Sequence, residues 1–409
     1  MLPKPTSRTI VAVHQGFPAQ LESWIRALIA AGHRVVALHQ QHCSLDLPGL
    51  QLLRWQPPRG NGRDTFAEVR EVETKFLRAA GVATQARKLA AQGLQPDLIL
   101  AHPGWGETLY LSSIWPDVPQ LHYLEHFYTE AEVPGASAAY RQKLPAKNVG
   151  NLLALHDMTQ GVSPTRFQAA TYPQLYQSRI AVVHDGLDLE LLRPRADARV
   201  RLANGRLLQL GDPVVTFVNR TFEPYRGFPQ FMRALPALQR RFSDLQVLLI
   251  GHDRGVSYGC EPPCGRSWKQ VLFDELAGEL DLGRLHFVGK LERSSFVRAL
   301  QVSACHVYLT VPFVLSWSCL EAMACGAPLV ASDTPPVQEV VRQGREGLLV
   351  PWDDAGALAA AIGECLIDRA GASRRAQQAL VRIQERYEQR ACTARRMALS
   401  DQLLSRAGS

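Results

Sequence analysis

The densest chemistry in this sequence lies between Val307 and Asp333, which reads as strand, loop, helix, glycine stop and second strand. The helix begins near Trp317, so its first free N–H groups and positive dipole end suit a diphosphate. Glu321 lies one turn inside, where a carboxylate can accept hydrogen bonds from ribose hydroxyls. Ser318-Cys-Leu-Glu321 also fits a capping box, in which the same carboxylate only ties down the helix start. Spacing leaves these two readings open. Arg220 ends one strand and Arg226 starts the helix that follows. Two cations there can neutralise phosphate charge, Arg226 through a planar fork. The alternative is a surface ion pair for each with Glu223 or another local acid. Nearer the N-terminus His102 ends a strand, with Trp105 after it as a stacking platform, and Glu125 and His126 follow the next strand. Such groups can orient an attacking hydroxyl, although a lone histidine is more often structural.

The elements that must position these residues follow a regular rhythm. Thr9–His14 is a buried strand, Leu21, Ile25, Leu28 and Ile29 repeat at helical spacing, Gly32 closes the helix, and Arg34–His39 is the next strand. Asp97–His102, Gln120–Glu125, Met158–Ser163 and Ile180–His184 continue the series, while Val133–Lys147 reads as loop. A linker falls near Leu192–Gly211. The rhythm restarts with Val214–Val218, Leu245–Ile250, Leu285–Val288, His306–Thr310, Leu329–Ser332 and Gly347–Val350, separated by helical stretches such as Phe296–Ser303 and Ala355–Leu366. Alternating strands and helices predict two parallel sheets, each covered on both faces, with a ligand cleft between the halves at the strands' C-terminal ends. We therefore expect an N-terminal domain over 1–195, a C-terminal domain over 205–373, and a helical segment over 374–409 packing back toward the first.

Composition narrows the class. Of 409 residues, 46% are hydrophobic and 20% charged, the balance of a compact globular protein. The last few residues and the Gly/Arg-rich stretch Pro57–Asp64 are the exceptions and read as disordered. Neither a signal-like run nor a membrane-length apolar stretch occurs, so a cytoplasmic location is expected. The eight cysteines are scattered, several in apolar segments (Cys305, Cys319, Cys325, Cys365), and read as reduced buried thiols. Cys260 and Cys264 are the single close pair, and a metal site would need two more ligands at matching spacing. The net charge of +7 suits phosphate-bearing ligands or an anionic membrane surface, where Arg141, Lys143 and Lys147 are candidate contacts. No nucleic-acid recognition module is present. A Gly-x-Gly-x-x-Gly fingerprint is also missing after the first strand, which argues against a dinucleotide cofactor.

Leu320-Glu-Ala-Met-Ala-Cys-Gly-Ala-Pro-Leu-Val-Ala-Ser-Asp333 and Gln338-Glu-Val-Val341 resemble the signature region of glycosyltransferase family four. His184-Asp-Gly-Leu-Asp188 is similar to the family's linker motif, and Asn219–Gly227 to its Gly-Arg-x-x-x-x-Lys-Gly segment. The resemblance covers nearly the whole chain. It implies a GT-B fold of two facing Rossmann-like domains and a retaining, metal-independent transfer of sugar from a nucleotide-diphosphate sugar to a glycan, lipid-linked glycan or small-molecule hydroxyl, in surface polysaccharide or glycoconjugate synthesis. Arg220 and Arg226 would then hold the departing diphosphate, with no cofactor required, in keeping with the lack of any Asp-x-Asp pair. The resemblance also implies donor contacts from Gly16, Glu321, Trp317, the backbone of Val314, Leu315 and Ser316, and Lys290 near the base. His102, Glu125 and His126 fall where relatives place acceptor-side residues. One departure stands out: Phe313 occupies the position where the family usually carries a first glutamate. That substitution keeps two alternatives alive, a nucleotide-sugar-binding protein without transfer activity and a nucleotide-sugar isomerase.

Overall fold

The computed structural model describes residues 7–133, 137–255, 257, 262 and 265–406. They form two compact units, one made of the chain up to Gly186 together with the segment from Gln389, the other of Leu187–Glu388. The first unit contains strands β1 (Thr9–Val13), β2 (Arg34–His39), β3 (Leu50–Arg54), β4 (Leu98–Ala101), β5 (Gln120–Tyr123), β6 (Gln160–Ser163) and β7 (Ile180–Val182). They form one parallel sheet in the order β3-β2-β1-β4-β5-β6-β7. Its helices are α1 (Glu22–Ala30), α2 (Arg70–Ala91), α3 (Ala138–Asp157), α4 (Arg166–Thr171) and α5 (Gln174–Gln177).

The second unit opens with a small antiparallel hairpin, β8 (Arg199–Arg201) and β9 (Leu207–Gln209). Strands β10 (Val214–Thr221), β11 (Gln246–His252), β12 (Leu285–Gly289), β13 (Cys305–Tyr308), β14 (Leu329–Ser332) and β15 (Leu348–Val350) then pair as β12-β11-β10-β13-β14-β15, again parallel. Helices α6 (Phe228–Arg241), α7 (Trp268–Glu275), α8 (Arg293–Gln301), α9 (Trp317–Ala324), α10 (Pro335–Gln338), α11 (Ala355–Ile367) and α12 (Arg369–Arg386) belong here, and α13 (Gln389–Arg406) returns to the first unit.

The β-branched runs form strands because both faces of a parallel sheet are covered. Alternate residues divide cleanly. Ile10, Ala12, Val35 and Leu100 pack with Trp24 of α1 and Leu403 of α13, whereas Val11, Val36 and Ile99 pack with Val82 and Ala86 of α2. In the second unit Phe217 and Leu249 face α6 and α11, while Tyr308 and Ala331 face α9 and α12.

Four expectations differ from the structure. The unit boundary lies at Gly186–Leu187 rather than near 195. Gly186, at φ +83°, makes the turn there, and a Cβ on it would stand 2.5 Å from Gln389 Cα. The segment 374–409 is not one element, because the helix breaks at Tyr387–Glu388, so α12 stays with the second unit and α13 joins the first. Most of Val133–Lys147 belongs to α3, capped by Ser137, whose side chain accepts from Tyr140 N–H. Pro57–Asp64 is tied to α2, with Glu73 accepting from Gly62 N–H and pairing with Arg59 at 2.7 Å. The pair Cys260 and Cys264 lies outside the described residues.

Candidate active site

In a doubly wound sheet, the place where strand order reverses opens a crevice at the strands' C-terminal ends. In the second unit that point lies between β10 and β13. Arg220 sits there near the end of β10, exposed, with no hydrogen-bond or ion-pair partner among the described residues. The expected alternative, a pair with Glu223, does not form: Glu223 is buried and accepts from Ser257 N–H.

Arg226 is held differently from Arg220. It lies in a 3-10 turn closed by Gly227, whose φ of +67° and 2.3 Å approach of an added Cβ to Leu309 admit no side chain. Its guanidinium is buried and donates to Tyr308 Oη (3.2 Å), Thr310 Oγ1 (2.9 Å) and Val314 O (3.0 Å). It also stacks 5.5 Å from the buried Phe313 ring. Arg226 therefore braces the loop between β13 and α9 rather than offering its charge to solvent.

That loop presents less backbone than expected. Ser316 N–H is taken by Tyr308 Oη at 2.8 Å. The N–H groups of Val314 and Leu315 engage nothing among the described residues, so two donors remain ahead of the helix start. Ser316 is the N-cap of α9, and Trp317 stands exposed beside it. With the cap at Ser316, Glu321 lies beyond the capping position, and the capping-box reading falls. Glu321 is nearly buried and its Oε1 accepts from Arg293 of α8 at 2.6 Å. Burial raises its carboxyl pKa, opposed by the Arg293 charge. Lys290 is exposed just past β12, two strands from β10 and so about 10 Å away at ordinary strand spacing.

The first unit reverses between β1 and β4, and polar side chains collect there. Gly16 N–H donates to His14 Nδ1 at 3.0 Å, which fixes the tautomer so that Nε2–H faces Gln20 Oε1 at 3.1 Å. Gln20 Nε2 donates to Glu125 Oε1 at 3.1 Å, and His102 Nε2 to Glu125 Oε2 at 3.2 Å. All these bonds run toward Glu125. Burial works against its charge, but the His102 hydrogen bond and the charges of His102, His14 and His126 outweigh it and hold the pKa at about 2. His102 is likewise opposed by burial and lifted above its ordinary value by Glu125. Its rings neighbour His14 (5.1 Å, edge-on) and Trp105 (6.3 Å, stacked). His14 is driven down to about 3, first by burial and then by the His102 charge. Gly16 thus has its N–H engaged by His14.

His126 is buried and its Nε2 meets Glu132 Oε1 at 2.7 Å, while its carbonyl accepts from Asn151 at 3.0 Å. It still lines a small pocket with His102, Trp105, Glu125 and Tyr172. Residue types alone missed His14, Gln20 and Glu107. His14 carried a signal, a polar residue ending a buried strand as His102 does. Gln20 and Glu107 carried none. Glu107 is wholly buried, neither carboxylate oxygen has a partner among the described residues, and burial lifts its pKa to about 7. Beneath the cluster, Arg396 of α13 is fully buried, pairs closely with Asp185, stacks on Trp24 and Tyr123, and donates to Gln20 O at 3.1 Å. Among the described residues no group of three or more His, Cys, Asp or Glu is placed to hold a metal ion, and no helix is long and apolar enough to cross a membrane.

Two sequence families divide the chain between them: residues 31–192 match the glycosyl transferase family 4 group, and residues 212–368 match the glycosyl transferases group 1. The chain belongs to the family four, group 1 glycosyltransferases. Members similar to it include a D-inositol 3-phosphate glycosyltransferase of Mycolicibacterium vanbaalenii, 28% identical over 64% of this chain and 57% of the relative. A phosphatidyl-myo-inositol mannosyltransferase of Mycolicibacterium smegmatis is 35% identical over 40% of this chain and 39% of the relative. These matches span between about two fifths and three fifths of the relatives' own lengths. Among solved structures, sucrose-phosphate synthase from Thermosynechococcus elongatus superposes with a TM-score of 0.74 at 22% identity, covering 97% of this chain and 99% of that one. Anabaena HepE in complex with UDP and glucose gives 0.71 at 17%, covering 96% and 100%. The fold of this family member is GT-B.

Proposed function

We propose that this family member transfers a glycosyl group from a nucleoside-diphosphate sugar to a hydroxyl acceptor. The observation that carries the reading is the exposed Arg220 at the strand-order reversal of the second unit, without a partner among the described residues, on the side where α9 begins with two N–H groups ahead of it that are uncommitted among those residues. An exposed guanidinium and a helix start are what a diphosphate leaving group needs. Glu321, with Oε2 uncommitted among the described residues, is assigned to the ribose. A GDP-mannose-dependent phosphatidylinositol monomannoside mannosyltransferase of Mycolicibacterium smegmatis, 26% identical over 50% of this chain and 52% of the relative, supports a nucleotide-sugar donor.

The acceptor is assigned to the first unit, where ionised Glu125 and the imidazole of His102 orient the incoming hydroxyl. The names of the relatives bring in a polyol or its phosphate as acceptor class, beside the glycan or lipid-linked glycan expected from sequence. Retention of configuration and independence from metal are part of the proposal. Peripheral contact with an anionic membrane, through Arg141 and Lys143 on exposed turns of α3, is a further part. Calorimetry with uridine, guanosine and adenosine diphosphate sugars, with and without EDTA, tests the donor assignment. Micromolar binding of one series in EDTA supports it, and binding of none rejects it. Proton NMR of the product's anomeric coupling tests retention.

Phe313 favours one competing reading. Its buried ring under Arg226 puts hydrocarbon where the family places a carboxylate, which suits a nucleotide-sugar-binding protein lacking transfer activity. Donor binding without turnover or slow donor hydrolysis would establish that reading.

A further inference from the structure

Away from the strand ends, the second unit carries an open groove of about 280 Å³ between α12 and the stretch following α10. Its walls supply Arg342, Arg345, Arg382 and Arg386, with the amides of Gln377 and Gln378. Two carboxylates, Glu346 and Glu385, face these four arginines and leave two positive charges in excess. Glu346 is already committed. It is fully buried, accepts from Arg342 N–H at 2.9 Å and is gripped through both oxygens by the Arg342 guanidinium. Arg345 reaches only 3.8 Å from the same oxygen and remains 60% exposed.

Arg382 is the informative member. Its side chain is 11% exposed, it stands 3.9 Å from Glu346, and it spends Nη2 on the Glu339 carbonyl at 2.8 Å. Its Nε–H is buried with no partner among the described residues. A buried charged donor without an acceptor is costly, and an anion seated in the groove would offset that cost. Burial also pulls the Arg382 pKa below its ordinary value despite Glu346, the mark of a desolvated, undercompensated cation.

We propose that this groove is a binding site for a phosphate monoester dianion. Two charges match the excess, guanidinium forks fit phosphate oxygens in pairs, and the glutamine amides add donors. The opposite face of α12 packs Ala379 and Ile383 against Leu320 and Met323 of α9. The occupant therefore rests on the helix that backs the one at the strand-order reversal. The site is separate from the assignment of donor and acceptor and stands without it.

The test is calorimetric titration of glycerol 3-phosphate into the full chain at constant ionic strength, with UDP and GDP present to fill any nucleotide site. One site is expected, and Arg345→Gln and Arg382→Gln should each weaken it at least about tenfold, the scale of a lost charge-assisted contact. Arg220→Ala should leave it unchanged. Arg382 is buried and its variant has the greater folding risk, so the exposed Arg345→Gln, checked by circular dichroism, carries the decision. Absence of binding at millimolar ligand, or binding that both variants leave intact, overturns the proposal. Cosedimentation with phosphatidic acid vesicles, lost in Arg345→Gln, would assign the monoester to a lipid headgroup. Binding of the soluble ester alone would assign it to a free metabolite.

Discussion

Arg220 and Glu125 illustrate two ways of making a charge useful. Arg220 is left exposed without a partner among the described residues, so its charge is available to a ligand. Replacing it with alanine should lower kcat/KM about 100- to 1,000-fold, the loss found when a preorganised electrostatic donor is removed, with the thermal midpoint unchanged. Glu125 instead gathers three buried neighbours into one anion. Glu125→Gln removes the largest influence that lifts His102, so the His102 pKa should fall as burial gains over the remaining Glu107 charge. Imidazole titration by NMR in the variant and in the native protein measures this directly, and an unmoved His102 would refute the pairing. Motif position placed Arg226 on the ligand; in the structure its guanidinium donates to Tyr308 at the end of β13 and to Thr310 and Val314 of the loop that follows.

Among elements, the loop between β13 and α9 depends on Arg226. Arg226→Met should leave Val314 O, Thr310 Oγ1 and Tyr308 Oη short of a donor, at a cost of about 2–4 kcal/mol in urea unfolding. It should also raise donor KM more than it lowers kcat, because the loop loses its shape before any contact to the reacting bond is lost. Most elements could be read from the sequence because parallel strands buried on both faces announce themselves as β-branched runs, as in Thr9–Val13 and Val214–Val218. Where the buried side is polar the signal fails. Helix α3 hides Asn148, Gly150 and Asn151 and contains Pro145, so no apolar stripe marks it. The half-buried edge strand Leu50–Arg54 gave too weak an alternation to stand out. The break between α12 and α13 was equally hidden, since Arg- and Gln-rich turns on either side look alike and only packing sends them to different units. Of the site, the strand-end residues His102, Glu125 and Arg220 were legible from position. The hydrogen-bond partners that set their charge, such as Gln20, come from distant sequence and were not.

The whole molecule should respond to acid in a defined direction. Burial holds His14, His122 and His306 at about 3 and His184 at about 4, each below the ordinary 6.5. The unfolded chain takes up these protons first, so their contribution is complete above pH 6.5 and is lost as pH falls toward 3. Glu125, held at about 2 from an ordinary 4.5, adds a loss across that lower window. Glu107 runs the other way: raised to about 7, it stabilises below 4.5 and that gain fades as pH rises through 7. The four histidines and Glu125 outnumber the groups that run the other way, Glu107, Glu321 and His102, and should leave the urea midpoint lower at acid pH than near neutrality. Glu107→Gln should flatten the opposing component between those pH values.

Arg396 arrives late. It completes a buried cluster with Trp24, Tyr123 and Asp185, yet it follows the entire second unit in the chain. On the ribosome, Leu187–Glu388 is contiguous and can close its own core as it emerges, whereas in the first unit Asp185 has the Tyr123 hydroxyl but waits for the Arg396 cation until α13 emerges. Burying a carboxylate ahead of its cation is expensive, so the nascent first unit should stay open around Asp185 and be the part that chaperones hold. Synthesis order, rather than distance along the sheet, then decides when the Glu125 cluster becomes fixed.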